Sequence, residues 1–258
     1  MKKPEWKSRL VPEDYHVHSC FSDGKCAPEE IILEAIRLGM TDLGFSDHAW
    51  TSFDESYCMK PEQYPEYRRS ICALREKYAG SIRIYLGIEQ DYYSSLPAED
   101  FDYVIGSVHF VKKDGEYLPV DLSAKSFEEN VARCYGGDYY AFAEDYYAVV
   151  SDIPSVMCPN VIGHLDLVTK FNEGDRLFST TDERYLKAAF SAVNKLLPLD
   201  IPFEINTGVV SRGYRTTPYP SPVLIEYIKA HGGRLILSSD SHDKSTLMYR
   251  FEEVQKYL

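Results

Sequence analysis

The sequence predicts an α/β protein built around a closed parallel barrel of seven strands. Short apolar runs with β-branched residues alternate with longer segments of helical periodicity along the 258 residues. Continuous apolar strands are typical of a parallel sheet that is covered on both faces. The length fits one barrel, because single α/β barrels routinely contain about 250 residues. An open doubly wound sheet is the alternative that the same alternation allows.

The strand predictions follow the apolar runs in chain order. The seven predicted strands are Asp14–His18, Asp42–Ser46, Ile82–Glu89, Tyr103–His109, Val161–His164, Phe203–Asn206 and Arg234–Ser239. Most of the connections between them are long enough for a helix, as a parallel sheet requires, and the stretch from 110 to 160 is long for a single connection.

The first predicted helix opens at Ala27-Pro28-Glu29-Glu30 and ends at Gly39. Proline is favoured in the first helical turn, acidic residues complement the positive end of the helix dipole, and glycine is favoured just past the last turn. Further helices are predicted over Pro61–Tyr78, 126–150, Glu183–Leu197, Pro222–Ala230 and Lys244–Leu258. The Tyr-rich stretch 110–160 is either a partial cover of one barrel end or an ordinary helical excursion.

Composition and charge exclude several classes of partner and location. The chain has 28 Lys and Arg against 40 Asp and Glu, a formal net charge of −12. Nucleic-acid coats and membrane-surface binders require a basic face, so we expect neither partner. No apolar run approaches the roughly 18 residues of a membrane span, and the start lacks the apolar stretch of a signal peptide. Six cysteines without a C-x-x-C pair predict reduced thiols in the cytoplasm.

Six of the seven histidines fall at or just beyond the carboxyl ends of predicted strands, which is where α/β barrels form their active sites. His16 and His18 close the first strand, and strand alternation places both side chains on one face. The other four are His48, His109, His164 and His242. Imidazole and carboxylate ligands without thiolate suit Zn²⁺, Fe²⁺ or Mn²⁺.

Three further residues are predicted to be structural. His231 lies beside Gly232 and Gly233 at a predicted helix end, where a cation complements the dipole, so we expect it to have no catalytic role. Cys20 and Cys26 lie near the first histidine pair, but their spacing matches no zinc motif.

The ordered motifs resemble the PHP family, named for polymerase and histidinol phosphatase, over essentially the whole chain. The motifs are Asp14-Tyr15-His16-Val17-His18-Ser19, Phe21-Ser22-Asp23-Gly24, Gly44-Phe45-Ser46-Asp47-His48, Gly87-Ile88-Glu89, Gly106-Ser107-Val108-His109-Phe110, Gly163-His164-Leu165-Asp166 and Ser239-Asp240-Ser241-His242. The resemblance implies a distorted (β/α)7 TIM-like barrel and one PHP-type domain over residues 1–258.

The resemblance also implies a cluster of two or three divalent transition metals. One metal would be held by His16, His18, Glu89 and Asp240, a second by Glu89, His109 and His164 with Glu89 bridging, and a third by Asp23, His48 and His242. The expected catalytic residues are His16, His18, Glu89, His109, His164, Asp240 and His242. Three divalent ions and three carboxylates leave a local charge of about +3, which attracts a phosphate.

The implied activity is hydrolysis of a phosphomonoester. Two ions about 3.5–4 Å apart polarise phosphoryl oxygens and lower the pKa of a bridging water, whose hydroxide would attack phosphorus. The segment Phe203–Gly208, with Arg212 and Pro218-Tyr219-Pro220-Ser221 after it, resembles the E-x-N-T…R…Y-P-S stretch of histidinol phosphatases. The implied substrate is therefore L-histidinol phosphate, an intermediate of histidine biosynthesis.

Several polar residues are predicted to contact this substrate. Arg212 is the first choice for the phosphate, because its planar guanidinium can bind two oxygens at once. Arg215 is the second choice, Ser107 is a possible further donor, and Lys170 is a weaker basic candidate. Asp91 and the Tyr-rich stretch 110–160 are possible sources of contacts to the imidazole and amine.

Two other functions are compatible with the motifs. A phosphoesterase of the same family that acts on nucleotides or oligonucleotide ends is disfavoured, since the chain has no basic stripe. A non-catalytic, metal-stabilised binding protein is disfavoured by the complete ligand set, because structural metal sites need no open, bridged cluster.

Overall fold

The computed structural model describes residues 3–94 and 100–258. The strands are β1 (Glu13–Asp14), β2 (Asp42–Phe45), β3 (Arg83–Asp91), β4 (Tyr103–Ser107), β5 (Phe110–Lys113), β6 (Glu116–Pro119), β7 (Val161–Ile162), β8 (Phe203–Asn206) and β9 (Leu235–Ser238). Seven of them form one parallel sheet in the order β1-β2-β3-β4-β7-β8-β9, and β5 pairs with β6 in a separate antiparallel hairpin.

The two edges of the seven-stranded sheet meet just beyond β1 and β9, so that the sheet forms a nearly closed barrel. Val17 pairs in parallel with Ser241 across this seam. The backbone N–H of His18 donates to the Ser241 carbonyl at 2.8 Å, and the Ser241 N–H donates to the His16 carbonyl at 3.1 Å. The predicted seven-stranded barrel is confirmed.

The helices surround the barrel. They are α1 (Pro28–Arg37), α2 (Tyr64–Lys77), α3 (Ala124–Tyr135), α4 (Tyr139–Val156), α5 (Glu183–Leu196), α6 (Gly208–Ser211), α7 (Pro222–Ala230) and α8 (Phe251–Val254). The predicted start of the first helix at Pro28 is confirmed, and Gly39 follows its end with a φ of 73°. No helix within the described residues is long and apolar enough to cross a membrane.

Five strands are shorter than predicted, and the difference is largest for β1 and β7, where side-chain oxygens replace some backbone partners at the carboxyl ends. Asp14–His18 was predicted as one strand, but regular pairing stops at Asp14. Beyond it the Val17 N–H donates to the Ser46 hydroxyl at 3.1 Å. After Val161–Ile162, the His164 N–H donates to Glu204 Oε2 at 3.1 Å instead of to a neighbouring strand.

The predicted final helix over Lys244–Leu258 is wrong. The segment contains two short turns and α8, since Met248 and Arg250 adopt left-handed φ values of 52° and 55°. The Met248 N–H donates to Asp14 Oδ2 at 3.1 Å, a tertiary hydrogen bond that anchors the segment to the barrel. Burial raises the pKa of this Asp14 carboxyl to about 6.

The stretch 110–160 is partly a cover of one barrel end and partly a helical excursion, the two alternatives that the sequence allowed. It begins with the β5–β6 hairpin, and α3 and α4 follow it on the outside of the barrel. The helical pattern predicted over 126–150 is interrupted at Gly136 and Gly137, whose φ values of 60° and 87° end α3. Residues around the hairpin border the cavity described below, so part of the stretch covers the barrel end.

Tyr103 fills the barrel interior against two glycines. Its side chain is fully buried, and its hydroxyl lies 2.5 Å from the Tyr15 carbonyl and 3.1 Å from the Phe45 carbonyl. A Cβ on Gly44 would lie 2.2 Å from the Tyr103 hydroxyl oxygen, and one on Gly87 would lie 2.2 Å from its ring. The barrel therefore accommodates this tyrosine only while both positions lack a side chain.

We expect Gly87→Ala to lower the free energy of unfolding by about 1–3 kcal/mol, because the added methyl overpacks the interior against Tyr103. Guanidinium denaturation followed by fluorescence measures the change. Gly80→Ala is the matched control, since its Cβ would have no heavy atom within 4 Å and its φ is ordinary. Equal stability of the two variants would contradict the packing argument.

Candidate metal centre

The nine predicted ligand residues converge at the carboxyl end of the barrel strands. Glu89, at the end of β3 and 1% exposed, lies at their centre. Its Oε2 lies 3.2 Å from His16 Nε2 and 2.9 Å from His48 Nδ1. Its Oε1 lies 2.9 Å from His164 Nε2 and 3.4 Å from His109 Nε2. One carboxylate thus faces imidazoles that follow the strands on both sides of β3.

Asp240 forms the second anionic point of the cluster. Its Oδ1 lies 3.4 Å from His18 Nε2 and 3.5 Å from His242 Nδ1, and its Oδ2 accepts a hydrogen bond from Arg212 at 2.8 Å. The residue has a left-handed φ of 49°, which is uncommon for a residue other than glycine. Backbone strain of this kind clusters at functional sites, where the surroundings hold it in place.

Asp23 completes the cluster on its solvent side. Its Oδ1 lies 3.3 Å from His242 Nε2 and 3.7 Å from His48 Nε2. The buried Asp47 carboxylate holds the loop before it, accepting hydrogen bonds from the backbone N–H and hydroxyl of both Ser19 and Ser22 at 2.6–3.1 Å. This role of Asp47 was not foreseen, although its motif was recognised in the sequence.

The donor atoms form three overlapping groups, in each of which they lie within 4.8 Å of one another. The groups are His18, Asp23, His48 and His242; His16, His18 and Asp240; and His48, Glu89 and His109. The sets implied by the resemblance differ from these groups at four points. His18 also belongs to the Asp23 group and His48 to the Glu89 group, whereas Glu89 is absent from the His16 group and His164 from the Glu89 group. Glu89 still lies 2.9–3.5 Å from ring nitrogens of His16, His18 and His164. Each group contains nitrogen and oxygen donors without sulfur, a donor set that suits zinc, iron or manganese.

Unsatisfied buried atoms test whether the cluster fits metal ions. Across residues 3–94 and 100–258, no hydrogen bond reaches His16 Nε2, either ring nitrogen of His18, or Glu89 Oε2. Buried polar atoms without partners are costly and need an explanation, such as an ion. All four belong to ligands predicted for the first metal. The residues present therefore fit divalent cations.

Outer carboxylates orient the rings of two histidines and hold the backbone of a third. Glu204 Oε1 lies 2.7 Å from His16 Nδ1, and its Oε2 accepts the backbone N–H of His164. Asp91 Oδ2 accepts the His109 N–H at 2.8 Å and lies 3.3 Å from its Nδ1. Such partners fix the tautomer and ring orientation of metal-binding histidines. Asp91, which the sequence suggested for substrate recognition, lies behind a ligand and does not line the cavity.

Electrostatics in the cluster favour ionised carboxylates. Burial raises the pKa of Glu89, but His16, His48 and His109 outweigh burial and hold it well below its usual range. Burial lowers the pKa of His16 and His109, yet the facing carboxylates raise both well above 6.5. His18 differs, since burial and the neighbouring histidines lower its pKa to about 3. Its imidazole is neutral and free to bind a metal.

A cavity of about 260 Å³ opens in front of the cluster. Besides seven of the predicted ligands, the cavity is lined by ten residues, which are Asp54, Ser56, Tyr57, Phe110, Pro119, Asp121, Leu122, Leu167, Lys170 and Arg212. Tyr57 packs edge-on against His48 at a centroid distance of 4.9 Å. Apolar side chains with a few polar groups are typical of small-molecule sites. The acidic residues Asp54 and Asp121 were not predicted.

The predicted substrate contacts fall in different places. Arg212 lines the cavity, with its guanidinium against the Asp240 carbonyl at 2.9 Å and His242 Nδ1 at 3.1 Å. Lys170 also lines it, and its ammonium donates to the Asp121 carbonyl and carboxylate. Arg215 does not line the cavity, and its guanidinium donates to the Thr169 hydroxyl.

Three other sequence predictions concern residues outside the cavity. Ser107 is 1% exposed, and a Cβ on Gly163 would lie 2.4 Å from its hydroxyl, so the structure gives no support to a phosphate contact from it. His231 is an exposed residue at the end of α7, bonded to the Tyr227 carbonyl, as expected for a histidine outside the site. Cys20 and Cys26 are free and belong to none of the donor groups.

Comparisons with known proteins point to one family. Residues 14–208 match the family model described as PHP domain. A protein of Deinococcus radiodurans named "Probable histidinol-phosphatase" is 31% identical over 259 residues, which cover 94% of this chain and 91% of that protein.

Two solved structures share the fold. The hisK protein of Listeria monocytogenes superposes with a TM-score of 0.81 at 20% identity, covering 93% of this chain and 99% of that chain. A histidinol phosphate phosphatase of Lactococcus lactis, solved with zinc, L-histidinol and phosphate, superposes with a TM-score of 0.69 at 24% identity. That match covers 95% of this chain and 93% of the other.

We expect metal binding to the metal-free protein to release protons. The facing carboxylates hold the pKa values of His16 and His109 well above 6.5 and raise the pKa of His48, so these imidazoles favour the protonated form, whereas a metal binds only the deprotonated imidazole. Affinity for Zn²⁺ should therefore rise with pH from 6.5 upward. Calorimetric titrations in buffers of different ionisation enthalpy measure the protons released, and a heat that is independent of the buffer would contradict this expectation.

Glu204→Gln should weaken metal binding by about 10- to 100-fold, because His16 loses the charged partner that fixes its ring. Competition with a chromophoric chelator gives the affinity. Glu226→Gln, which removes the same charge from an exposed position on α7, is the control and should bind metal like the unmodified protein. Equal affinities of both variants would show that Glu204 does not support the centre.

Proposed function

The chain belongs to the PHP domain family, and from this premise we propose that it is a histidinol-phosphatase, a metal-dependent phosphoric monoester hydrolase. It converts L-histidinol phosphate and water to L-histidinol and phosphate. The observation that carries the proposal is the Glu89-centred cluster, which faces a cavity that also contains two cationic side chains. The name of the Deinococcus relative and the ligands of the Lactococcus structure support this substrate.

The cluster holds two or three divalent transition metals, and zinc, iron and manganese all suit its ligands. We assign the ligands as His16, His18, Glu89 and Asp240 for one ion, Glu89, His109 and His164 for the second, and Asp23, His48 and His242 for the third. When bound, such ions polarise phosphoryl oxygens and activate water for attack on phosphorus. Glu204 and Asp91 keep His16 and His109 in the orientation that ligation requires.

Two cations of the chain bind the phosphate. Arg212 is held by Asp240 and His242 beside the cluster, and its planar guanidinium suits phosphate oxygens. The Lys170 ammonium donates two of its three N–H groups to Asp121, so the third remains for a phosphate oxygen. Both residues line the cavity, whereas Arg215 and Ser107 do not.

The two alternative functions have weaker support. A nucleotide or oligonucleotide end carries further phosphates, which Asp54 and Asp121 in the cavity wall would repel. A non-catalytic, metal-stabilised binding protein would not need the complete ligand set of an open, bridged cluster. Binding of phosphate ligands without turnover in the metal-loaded protein would favour that alternative. Rates with L-histidinol phosphate and with a nucleoside 3′,5′-bisphosphate, measured side by side, separate the enzymatic alternatives.

We expect His109→Ala to reduce phosphate release from L-histidinol phosphate by roughly 100-fold or more, since it removes a ligand of the bridged ion. His231→Ala removes an exposed histidine at the end of α7 that neither lines the cavity nor belongs to a donor group, and it should leave turnover unchanged. Chelation should abolish activity, and added Zn²⁺ or Mn²⁺ should restore it. Unchanged turnover in His109→Ala, or in the chelated protein, would overturn the proposal.

A further inference from the structure

We propose that Arg215 is a positioning residue that acts through Lys170. Its buried guanidinium holds the turn that carries this lysine against the loop that carries Arg212, so that both cations meet the same phosphate. The inference rests on the proposed function and deepens it, because it explains how the chain fixes the relative positions of its two phosphate-binding groups. Arg215 itself does not line the cavity, so it is not a catalytic residue.

The Arg215 guanidinium lies between two segments of the chain. Its side chain is only 9% exposed, and Nη1 donates to the Thr169 hydroxyl in the segment that follows β7. Its Nη2 donates to the Thr217 hydroxyl oxygen at 3.0 Å, in the loop that follows β8. Its Cζ atom lies over the Tyr219 ring, 5.4 Å from the ring centroid, which is within the range of a cation–π contact. The guanidinium therefore joins the two segments.

A buried carboxylate in the first of these segments depends on the same cation. Asp166 is fully buried, and its Oδ2 lies 3.9 Å from Arg215 Nη1 and accepts the Ser221 N–H at 2.8 Å. Across residues 3–94 and 100–258, no other Lys, Arg or His nitrogen lies within 4.0 Å of this carboxylate. A buried charge without a counter-charge is costly, so Asp166 keeps the guanidinium beside the segment after β7.

The contact at Thr169 fixes the residue that follows it. A tight turn, Leu167–Thr169, comes immediately before Lys170, which lines the cavity. The Thr169 hydroxyl is buried and donates to the Asp166 carbonyl at 2.8 Å, so its oxygen is free to accept the hydrogen bond from Arg215. Loss of the guanidinium would remove this bond and allow the turn, and the lysine with it, to shift.

The backbone of Arg215 is tied to the helix α6, which ends just before Arg212. The N–H groups of Tyr214 and Arg215 reach the Val209 carbonyl at 3.0 and 3.4 Å. The Arg212 N–H donates to the Gly208 carbonyl at 3.1 Å in the same helix. The two arginines therefore belong to one short structural unit, in which the first binds beside the metal cluster and the second holds the turn that carries the other phosphate-binding cation.

Arg215→Gln tests the inference in the metal-loaded protein. The dissociation constant of inorganic phosphate, measured by calorimetry, should rise roughly 10-fold, the lower end of the range for a lost hydrogen bond to a charged group. The KM for L-histidinol phosphate should rise by the same factor, with a smaller change in kcat. Zinc affinity, measured by competition with a chelator, should stay within about twofold, because Glu204 and not Arg215 holds the His164 backbone.

A double-mutant cycle shows whether Arg215 acts through Lys170. In a Lys170→Met background the contact of the lysine with phosphate is already lost, so Arg215→Gln should change the phosphate dissociation constant by less than about twofold. A merely structural role of Arg215 would give the same factor in both backgrounds. Arg69→Gln is the matched control, since it removes an arginine from an exposed position on α2 and should leave phosphate affinity unchanged.

Thr169→Val and Thr169→Ser test the same contact if Arg215→Gln does not fold. Valine has nearly the shape of threonine but offers no oxygen to the guanidinium, whereas serine keeps the hydroxyl. Thr169→Val should therefore weaken phosphate binding, and Thr169→Ser should bind phosphate as the unmodified protein does. Equal phosphate affinities of the two variants would overturn the inference.

The outcomes separate this inference from the proposed function. Unchanged phosphate affinity in Arg215→Gln, an equal factor in the Lys170→Met background, or a loss of zinc affinity would overturn the inference, while hydrolysis of L-histidinol phosphate by the unmodified protein would still support the proposed function. If the unmodified protein does not hydrolyse this substrate, the proposed function fails, and the phosphate affinities of the cycle still decide the inference. Absence of phosphate binding to the metal-loaded protein would also overturn it.

Discussion

The buried carboxylate of Glu89 is the group around which the site is organised. Burying one charge costs several kcal/mol unless opposite charges compensate it, and here imidazoles from four strand ends surround it. The sheet order places those strand ends on both sides of β3, and closure of the barrel brings Asp240, which follows β9, within 3.4 Å of His18. Divalent cations between the carboxylate and the unpartnered imidazole nitrogens would satisfy both sets of atoms. The fold and the metal centre therefore depend on each other.

Much of this centre could be predicted from the sequence because it rests on regular geometry. Strand alternation places His16 and His18 on one face, and parallel strands bring their carboxyl ends to the same edge. The loop after β8 follows no such rule. There the short helix α6 directs Arg212 to Asp240, while Arg215 turns back to Thr169. Sequence spacing cannot distinguish these two directions.

Tertiary hydrogen bonds account for the other differences. The final segment has helical periodicity, but the Met248 N–H donates to the Asp14 carboxylate, which lies more than two hundred residues earlier in the chain. This hydrogen bond holds the segment in a non-helical conformation. Glu204, Asp91 and Asp47 are acidic residues whose partners depend on which strands become neighbours. The sequence does not distinguish them from surface acids, and only the folded barrel shows that they contact His16, His109 and the loop before Asp23.

Anomalous diffraction from crystals of the zinc-loaded protein tests the role of Glu89 most directly. The geometry predicts peaks on both sides of this residue, each about 2.0–2.2 Å from one of its carboxylate oxygens and each also bound by histidines of the cluster. A single zinc ion that does not touch Glu89, or zinc bound only outside the barrel end, would contradict a bridged centre and the chemistry derived from it.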